Sequence, residues 1–224
     1  MKQKTRVIIA DDHVMVAEGL RNLLAENCDV LACVNDGGML VEAAKSLAPD
    51  VIVTDLTMPG LNGMDAIRTL REAGVVFAAV IVTMHADPYL AAAAIQDGAS
   101  AYIVKHSAGS ELLHAVHEAR AGRVYISSMI DRSVIERYTK GQGRGHMSEM
   151  LTLRQRRIVQ LSAEGHSLKN IARQLKISRR TVESHKYKVM QKLSVHSTAE
   201  LVQLAIRLGL ISVPAGNLGE REKK

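Results

Sequence analysis

Five short runs in the first half of the chain, RVIIAD, DVLACV, VIVTD, AAVIVT and AYIVK, are apolar without a break at their centres and rich in β-branched residues. Runs of this kind suit strands buried on both faces. Helical stretches lie between and after them, near residues 14 to 25, 38 to 47, 64 to 72, 88 to 97 and 108 to 121. The alternation predicts an α/β unit: a parallel sheet of five strands with helices on both faces, because strands apolar on both sides need cover on both sides. In such a sheet ligands collect beyond the carboxyl ends of the strands, where the connecting loops diverge.

That rule makes the strand ends informative. Asp11 and Asp12 follow the first strand, Asp55 the third, Thr83 the fourth and Lys105 the fifth. Three carboxylates brought to one rim repel one another and are costly to bury unless a cation compensates. Oxygen ligands, with no His or Cys counted among them, favour Mg²⁺ over zinc. Lys105 adds a second positive charge. Such a site can gather a phosphoryl donor, with Asp55 as the nucleophile that forms an aspartyl phosphate. In TMPGLNG, Pro59 fixes φ while Gly60 and Gly63 relieve the turn that keeps the loop close to the acids. A plain strand-to-helix turn would explain this loop taken alone; the residues at the other three strand ends favour the site.

ADDH, TDLTMPGLNG, VIVTMHAD and DGASAYIVKH closely resemble the receiver domain of bacterial two-component response regulators, over roughly residues 4 to 124. The resemblance implies a flavodoxin-like sheet of order 2-1-3-4-5 and a phosphoacceptor at Asp55. It implies Mg²⁺ held by Asp12, Asp55 and the Thr57 carbonyl, with Asp11 acting through water. Thr83 and Lys105 would contact the phosphoryl group, and Tyr102 stands where an aromatic changes exposure when Thr83 is drawn in. One departure is Lys105-His106, where many receivers carry Pro in cis after the lysine; His gives no reason for a cis bond.

The net charge of +6 conceals an asymmetry: residues 1 to 127 hold 10 Lys and Arg against 15 Asp and Glu, and the remainder holds 19 against 8. Opposite signs suggest two parts with different partners, the basic one suited to a polyanion. Cys28 and Cys33 match no metal framework and read as two small buried thiols. The apolar stretches are far shorter than a membrane span, so a soluble cytoplasmic protein without a membrane partner is expected. KGQGRGH marks a linker, since no GKS or GKT follows to make it a phosphate loop. The expected division is 1–126 for the α/β unit, 127–148 for the linker, 149–212 for a helical domain and 213–224 for a polar tail.

The helical part opens with Thr152 and Gln155 spaced for a capping box, and Gly165 ends that first helix. A second, short helix in SLKNIARQLK is capped by Ser167, and Ile177-Ser178 separates it from SRRTVESHKYKVMQKL. Two helices joined by so tight a turn form a helix-turn-helix, whose second helix fits a DNA major groove. At 100° per residue Val182, His185, Val189 and Leu193 face inward, while Glu183, Ser184, Tyr187 and Gln191 face out. Arg179 and Arg180 at the helix start and Lys188 beside the outer face suit phosphates. A basic helical bundle is the bland alternative. Ser197 and Glu200 cap a fourth helix, whose Leu201, Leu204, Ala205 and Leu208 can pack internally or against a second copy.

LTLRQRRIVQLSAEGHSLKNIARQLKISRRTVESHKYKVMQKLSVHSTAELVQLA resembles the LuxR-type DNA-binding domain, and the whole order resembles a NarL/FixJ-class response regulator. By that resemblance Glu183, Ser184 and Tyr187 reach bases, whereas Arg179, Arg180 and Lys188 contact the DNA backbone. Gln155 and Asn170 stand where acidic residues are usual, and asparagine makes the poorer cap. The partners implied are a sensor histidine kinase, double-stranded promoter DNA and a second copy in a homodimer, with RNA polymerase a further candidate. The expected function is phosphorylation-controlled transcriptional regulation with no enzymatic activity beyond self-phosphorylation and self-dephosphorylation. Two alternatives are a DNA-binding regulator indifferent to phosphorylation and a Mg²⁺-dependent aspartate-based phosphohydrolase.

Overall fold

The computed structural model describes residues 4–137 and 151–211. The five apolar runs form β1 (Thr5–Ala10), β2 (Cys28–Val34), β3 (Val51–Thr54), β4 (Ala78–Thr83) and β5 (Ala101–Val104). They alternate with α1 (Val14–Leu24), α2 (Gly37–Leu47), α3 (Gly63–Glu72), α4 (Pro88–Gln96) and α5 (Ala108–Arg120). All pairings are parallel, and the spatial order β2-β1-β3-β4-β5 is the one expected. One face of the sheet packs Val7, Ile9, Val53, Val82 and Ile103 against α1 and α5; the other packs Ile8, Ile52, Ile81 and Tyr102 against α2, α3 and α4. Side chains of opposite parity along each strand supply the two cores, which is why the runs carry no polar alternation.

A sixth strand extends the expected five. β6 (Tyr125–Ile126) lies parallel to β5, pairing Ala101 with Tyr125 and Tyr102 with Ile126. It covers an edge that the five-strand order leaves open, and at two residues it is too short for any period to reveal. α6 (Arg132–Arg137) follows and packs on α4, with Ile130 and Ile135 buried in the same cluster as Leu90, Ala91 and Ala94. Burying an isoleucine contributes roughly 1.5–3 kcal/mol, so the beginning of the expected linker is fastened to the α/β unit. The glycine-rich KGQGRGH and the polar tail lie outside the described residues.

The carboxyl-terminal part consists of α7 (Leu153–Ala163), α8 (Leu168–Gln174), α9 (Arg179–Lys192) and α10 (Thr198–Arg207). The predicted capping box of α7 is present: the Gln155 N–H donates to Thr152 Oγ1 at 3.3 Å and the Thr152 N–H to Gln155 Oε1 at 2.9 Å. Ser167 accepts the Asn170 N–H, but the Asn170 amide oxygen takes a hydrogen bond from Arg173 and completes no box. Glu200 reaches past its cap to the His196 N–H. Leu201, Leu204, Ala205 and Leu208 pack internally with Val159, Val189 and Val195, which settles where the apolar side of α10 goes. Val182 and Val189 are buried as predicted, while His185 and Leu193 are half-buried. Cys28 is buried but Cys33 is exposed, so the expectation of two buried thiols holds only for the first. Among the described residues no helix is long and apolar enough to cross a membrane.

Candidate functional site: an acidic rim and an exposed helix

The sheet ladder carries the acids to one place. The Asp11 N–H donates to the Val34 carbonyl at 3.0 Å and the Asp55 N–H to the Ala10 carbonyl at 2.8 Å, so both sit one step beyond their strands. Asp11 and Asp55 are buried and Asp12 is half-buried. Donor atoms of Asp11, Asp12, His13 and Asp55 all lie within 4.8 Å of one another. Lys105 Nζ stands 2.7 Å from both Asp11 Oδ2 and Asp55 Oδ2. Asp55 Oδ1 accepts the Thr57 N–H at 3.2 Å.

The loop after β3 is held close by necessity. A Cβ on Gly63 would lie 2.0 Å from the Asp55 carbonyl oxygen and 2.8 Å from Thr54 Oγ1. Only glycine permits that approach. Gly60 has a different reason, a φ of 70° in open surroundings.

Burial pushes the Asp55 carboxyl above the usual carboxylate range; Lys105 pulls it back, and Asp11 adds to the rise. Burial alone would lower the Lys105 ammonium, but Asp55 and Asp11 hold it above its ordinary value. One ammonium faces three carboxylates, and the residual negative charge, on hard oxygen donors, fits a divalent cation. His13 corrects the expectation of a cluster free of histidine: its Nδ1 is 3.0 Å from Asp12 Oδ1. His13 closes the run ADDH and is the residue before α1, so its place directly after Asp11 and Asp12 was legible in the sequence.

Thr83 and Tyr102 are fully buried. The Thr83 hydroxyl accepts the His85 N–H at 3.3 Å, and the Tyr102 hydroxyl donates to the His85 carbonyl at 2.9 Å. Both expected switch residues therefore grip the same residue, one that sequence reasoning missed. Burial lowers the pKa of His85 against the opposing pull of Asp55 and Asp87.

On α9, Arg179, Arg180, Glu183, Ser184, Tyr187 and Lys188 are all exposed. Ser178 caps the helix by accepting the Thr181 N–H at 3.0 Å. Arg179 Nε lies 2.9 Å from Glu183 Oε1, an i,i+4 pair that holds the guanidinium over the outer face.

The two parts meet at the rim. Gln160 of α7 is fully buried; its amide donates to the Met58 carbonyl at 2.7 Å and its oxygen accepts from Asn62 Nδ2 at 3.4 Å. The Gly60 N–H donates to Glu164 Oε1 at 3.3 Å. A cavity of about 470 Å³ beside these contacts is lined by Asp12, Thr57 and Pro59 from one part and by Glu164, His166 and Ile206 from the other. The acidic rim and the exposed helix are thus joined through the loop that follows Asp55.

Comparison with known proteins agrees with this geometry. The family model described as "Response regulator receiver domain" matches residues 7–117, and the model for the luxR family of bacterial regulatory proteins matches residues 149–205. Response regulator GacA of Pseudomonas aeruginosa is 30% identical, covering 92% of this chain and 97% of its own length. Oxygen regulatory protein NreC of Staphylococcus haemolyticus is 31% identical, over 92% and 99% respectively. RcsB of Salmonella enterica serovar Typhimurium, solved bound to promoter P1flhDC in the presence of phosphomimetic BeF3-, aligns at 26% identity with a TM-score of 0.64, over 90% of this chain and 98% of that one.

Proposed function

Since the chain belongs to the response regulators that join a receiver domain to a LuxR-type DNA-binding domain, we propose that Asp55 accepts a phosphoryl group from a sensor histidine kinase and thereby controls how α9 meets promoter DNA. The protein is a phosphorylation-regulated DNA-binding transcription factor, and receivers of this family are not enzymes beyond their own phosphorylation and dephosphorylation. The division at residues 126, 148 and 212 is the domain organisation we assign.

In phosphoryl transfer an Asp55 oxygen bonds to phosphorus as the donor histidine nitrogen departs with the bonding pair. Mg²⁺, the divalent cation we assign to Asp12, Asp55 and the Thr57 carbonyl with Asp11 behind them, would neutralise charge on the phosphoryl oxygens. Lys105, already paired with Asp55, supplies a fixed positive charge to the same oxygens. Thr83 donates its hydroxyl to the phosphoryl group, which draws on the His85 peptide and so on Tyr102. A shift of that kind changes DNA binding only if the phosphorylated form favours one of two arrangements. Arg179, Arg180 and Lys188 contact phosphates; Glu183, Ser184 and Tyr187 reach base edges. A homodimer presents two such helices about 34 Å apart, the spacing of successive major grooves. The likeness to RcsB, solved on promoter DNA with a phosphoryl mimic, supports both halves of this reading.

The observation that carries it is the Lys105 ammonium set between Asp11 and Asp55, in a chain that also holds an exposed basic helix. One feature favours a second reading, a regulator that binds DNA regardless of phosphorylation: the outer face of α9 is exposed while α7 is docked on the rim. Genome-wide occupancy of wild type beside Asp55→Asn separates the two. Occupancy that falls with Asp55→Asn supports phosphorylation control, and equal occupancy supports the second reading.

A further inference from the structure

β5 ends at Val104, and Lys105–Ser107 make a single 3-10 turn before α5. No cis peptide occurs among the described residues. Lys105 is the first residue of that turn, so the placing of the turn places its ammonium. Ser107 secures the turn: its hydroxyl lies 3.0 Å from the Val104 carbonyl, 2.9 Å from Glu111 Oε2 and 3.0 Å from the Ser127 hydroxyl. The other Glu111 oxygen accepts the Ser128 N–H at 3.0 Å and the Ser128 hydroxyl at 2.6 Å. Glu111 and Ser127 are buried, and the Ser127 N–H donates to the Tyr102 carbonyl at 2.8 Å.

This carboxylate is an expensive way to fill space. An apolar side chain would occupy the same volume without desolvating a charge. Burial alone would raise the Glu111 carboxyl, yet hydrogen bonds from Ser128, Ser127 and Ser107 hold it below the ordinary range. Several donors converging on one buried acid fix a geometry more than they add stability. The geometry fixed is that of the Lys105 turn, tied to the chain leaving β6.

We propose that Glu111, acting through Ser107, is a positioning residue that holds the Lys105 turn, and with it the Lys105 ammonium, at the phosphoacceptor, while fastening the segment after β6 to the same turn. The inference rests on Asp55 being the phosphoacceptor.

The test uses the full chain with Mg²⁺ and acetyl phosphate as the probe. The bond between phosphorus and the acyl oxygen breaks, acetate leaves with the electron pair, and an Asp55 oxygen bonds to phosphorus. Phosphoprotein is followed on phosphate-affinity gels across acetyl phosphate concentrations. Glu111→Ala and Ser107→Ala are each expected to lower the maximal rate by about 10- to 100-fold, the scale of a displacement of up to an ångström, with a smaller change in KM. The double variant should be no slower than the slower single one, because both act through one contact. Glu111→Gln should recover most of the rate: its oxygen still accepts from Ser128, and its amide can donate to Ser107, whose own hydrogen then goes to Val104.

Folded Glu111→Ala and Ser107→Ala proteins that reach the wild-type maximal rate overturn the proposal while leaving Asp55 in place. Loss of thermal stability with an unchanged maximal rate also overturns it, since that outcome marks a purely structural tie. If Glu111→Ala fails to fold, Ser107→Ala, which removes a single hydroxyl, decides alone. Wild type that accepts no phosphoryl group and binds no beryllofluoride refutes the Asp55 reading itself, and the proposal with it.

Discussion

Replacing Gln160 by Ala would isolate the seam between the two parts of the molecule. Gln160 bridges it with two hydrogen bonds, one donated at 2.7 Å to the Met58 carbonyl and a longer one accepted at 3.4 Å from Asn62. Its bond to Glu164 lies within the helical part and persists whether or not the parts touch. The substitution therefore leaves the Met58 carbonyl unsatisfied in a buried position and weakens the hold on Asn62. A buried polar group without a partner costs about 1–3 kcal/mol, which corresponds to roughly a 5- to 150-fold loss in the docking equilibrium. Gln160→Glu keeps the shape, removes the donor and sets a carboxylate against a carbonyl oxygen, so its effect should be larger. Small-angle scattering should show a greater radius of gyration in the order wild type, Gln160→Ala, Gln160→Glu. Amide exchange in the Met58–Asn62 loop should accelerate in the same order. If both variants scatter and exchange as wild type does, the seam is held by something other than Gln160.

The two glycines of the loop after Asp55 should respond differently. Gly63→Ala places a Cβ 2.0 Å from a backbone oxygen, whereas Gly60→Ala meets open space at a φ of 70°. The first should cost about 3 kcal/mol and abolish beryllofluoride binding, the second about 1–2 kcal/mol with binding kept; urea unfolding with Gly60→Ala as the worse variant would contradict this. Because burial holds the Asp55 carboxyl above its unfolded value, its protonated form favours the metal-free fold below pH 3.8, and that contribution is lost as pH rises through the raised pKa. Mg²⁺ affinity should accordingly fall on acidification at a higher pH than for an exposed aspartate. In Lys105→Met the fall should begin at a higher pH still, because the lysine that pulls the carboxyl down is gone; calorimetric titrations with identical midpoints would refute the assignment. Arg179→Ala should weaken binding across DNA sequences and reduce the salt slope by about 1. Glu183→Ala should relax base preference more than it weakens non-specific binding, and its partner Arg179 would be released at the same time. Unchanged discrimination in a salt-controlled competition assay would count against a base contact by Glu183.

The elements themselves were written in local pattern. β-branched runs such as VIIA and VIVT, the Thr152 and Ser178 caps and the inward spacing of Val182 and Val189 all act over a few residues, so periodicity and capping chemistry exposed them. The acidic rim was legible for a related reason: in a parallel sheet the carboxyl ends of the strands must arrive at the same edge, and Asp11, Asp55 and Lys105 each follow a strand while Thr83 ends one. β6 escaped because two residues carry no period, and its pairing depends on an edge that exists only once β5 is in place. His85 escaped because its role comes from two bonds to its backbone, which no side-chain identity announces.

By itself the sequence determined which segments are strand or helix, which residues reach the rim and which side of α9 is polar, since each depends on spacing along the chain. Tertiary structure alone decided that Glu111 is wired to Ser107 and Ser128, and that Gln160 docks on the carbonyl of Met58, 102 positions away. A polar side chain buried by a distant segment looks, in sequence, the same as one left in water. Only the packing that removes the water turns its hydrogen-bonding needs into a constraint.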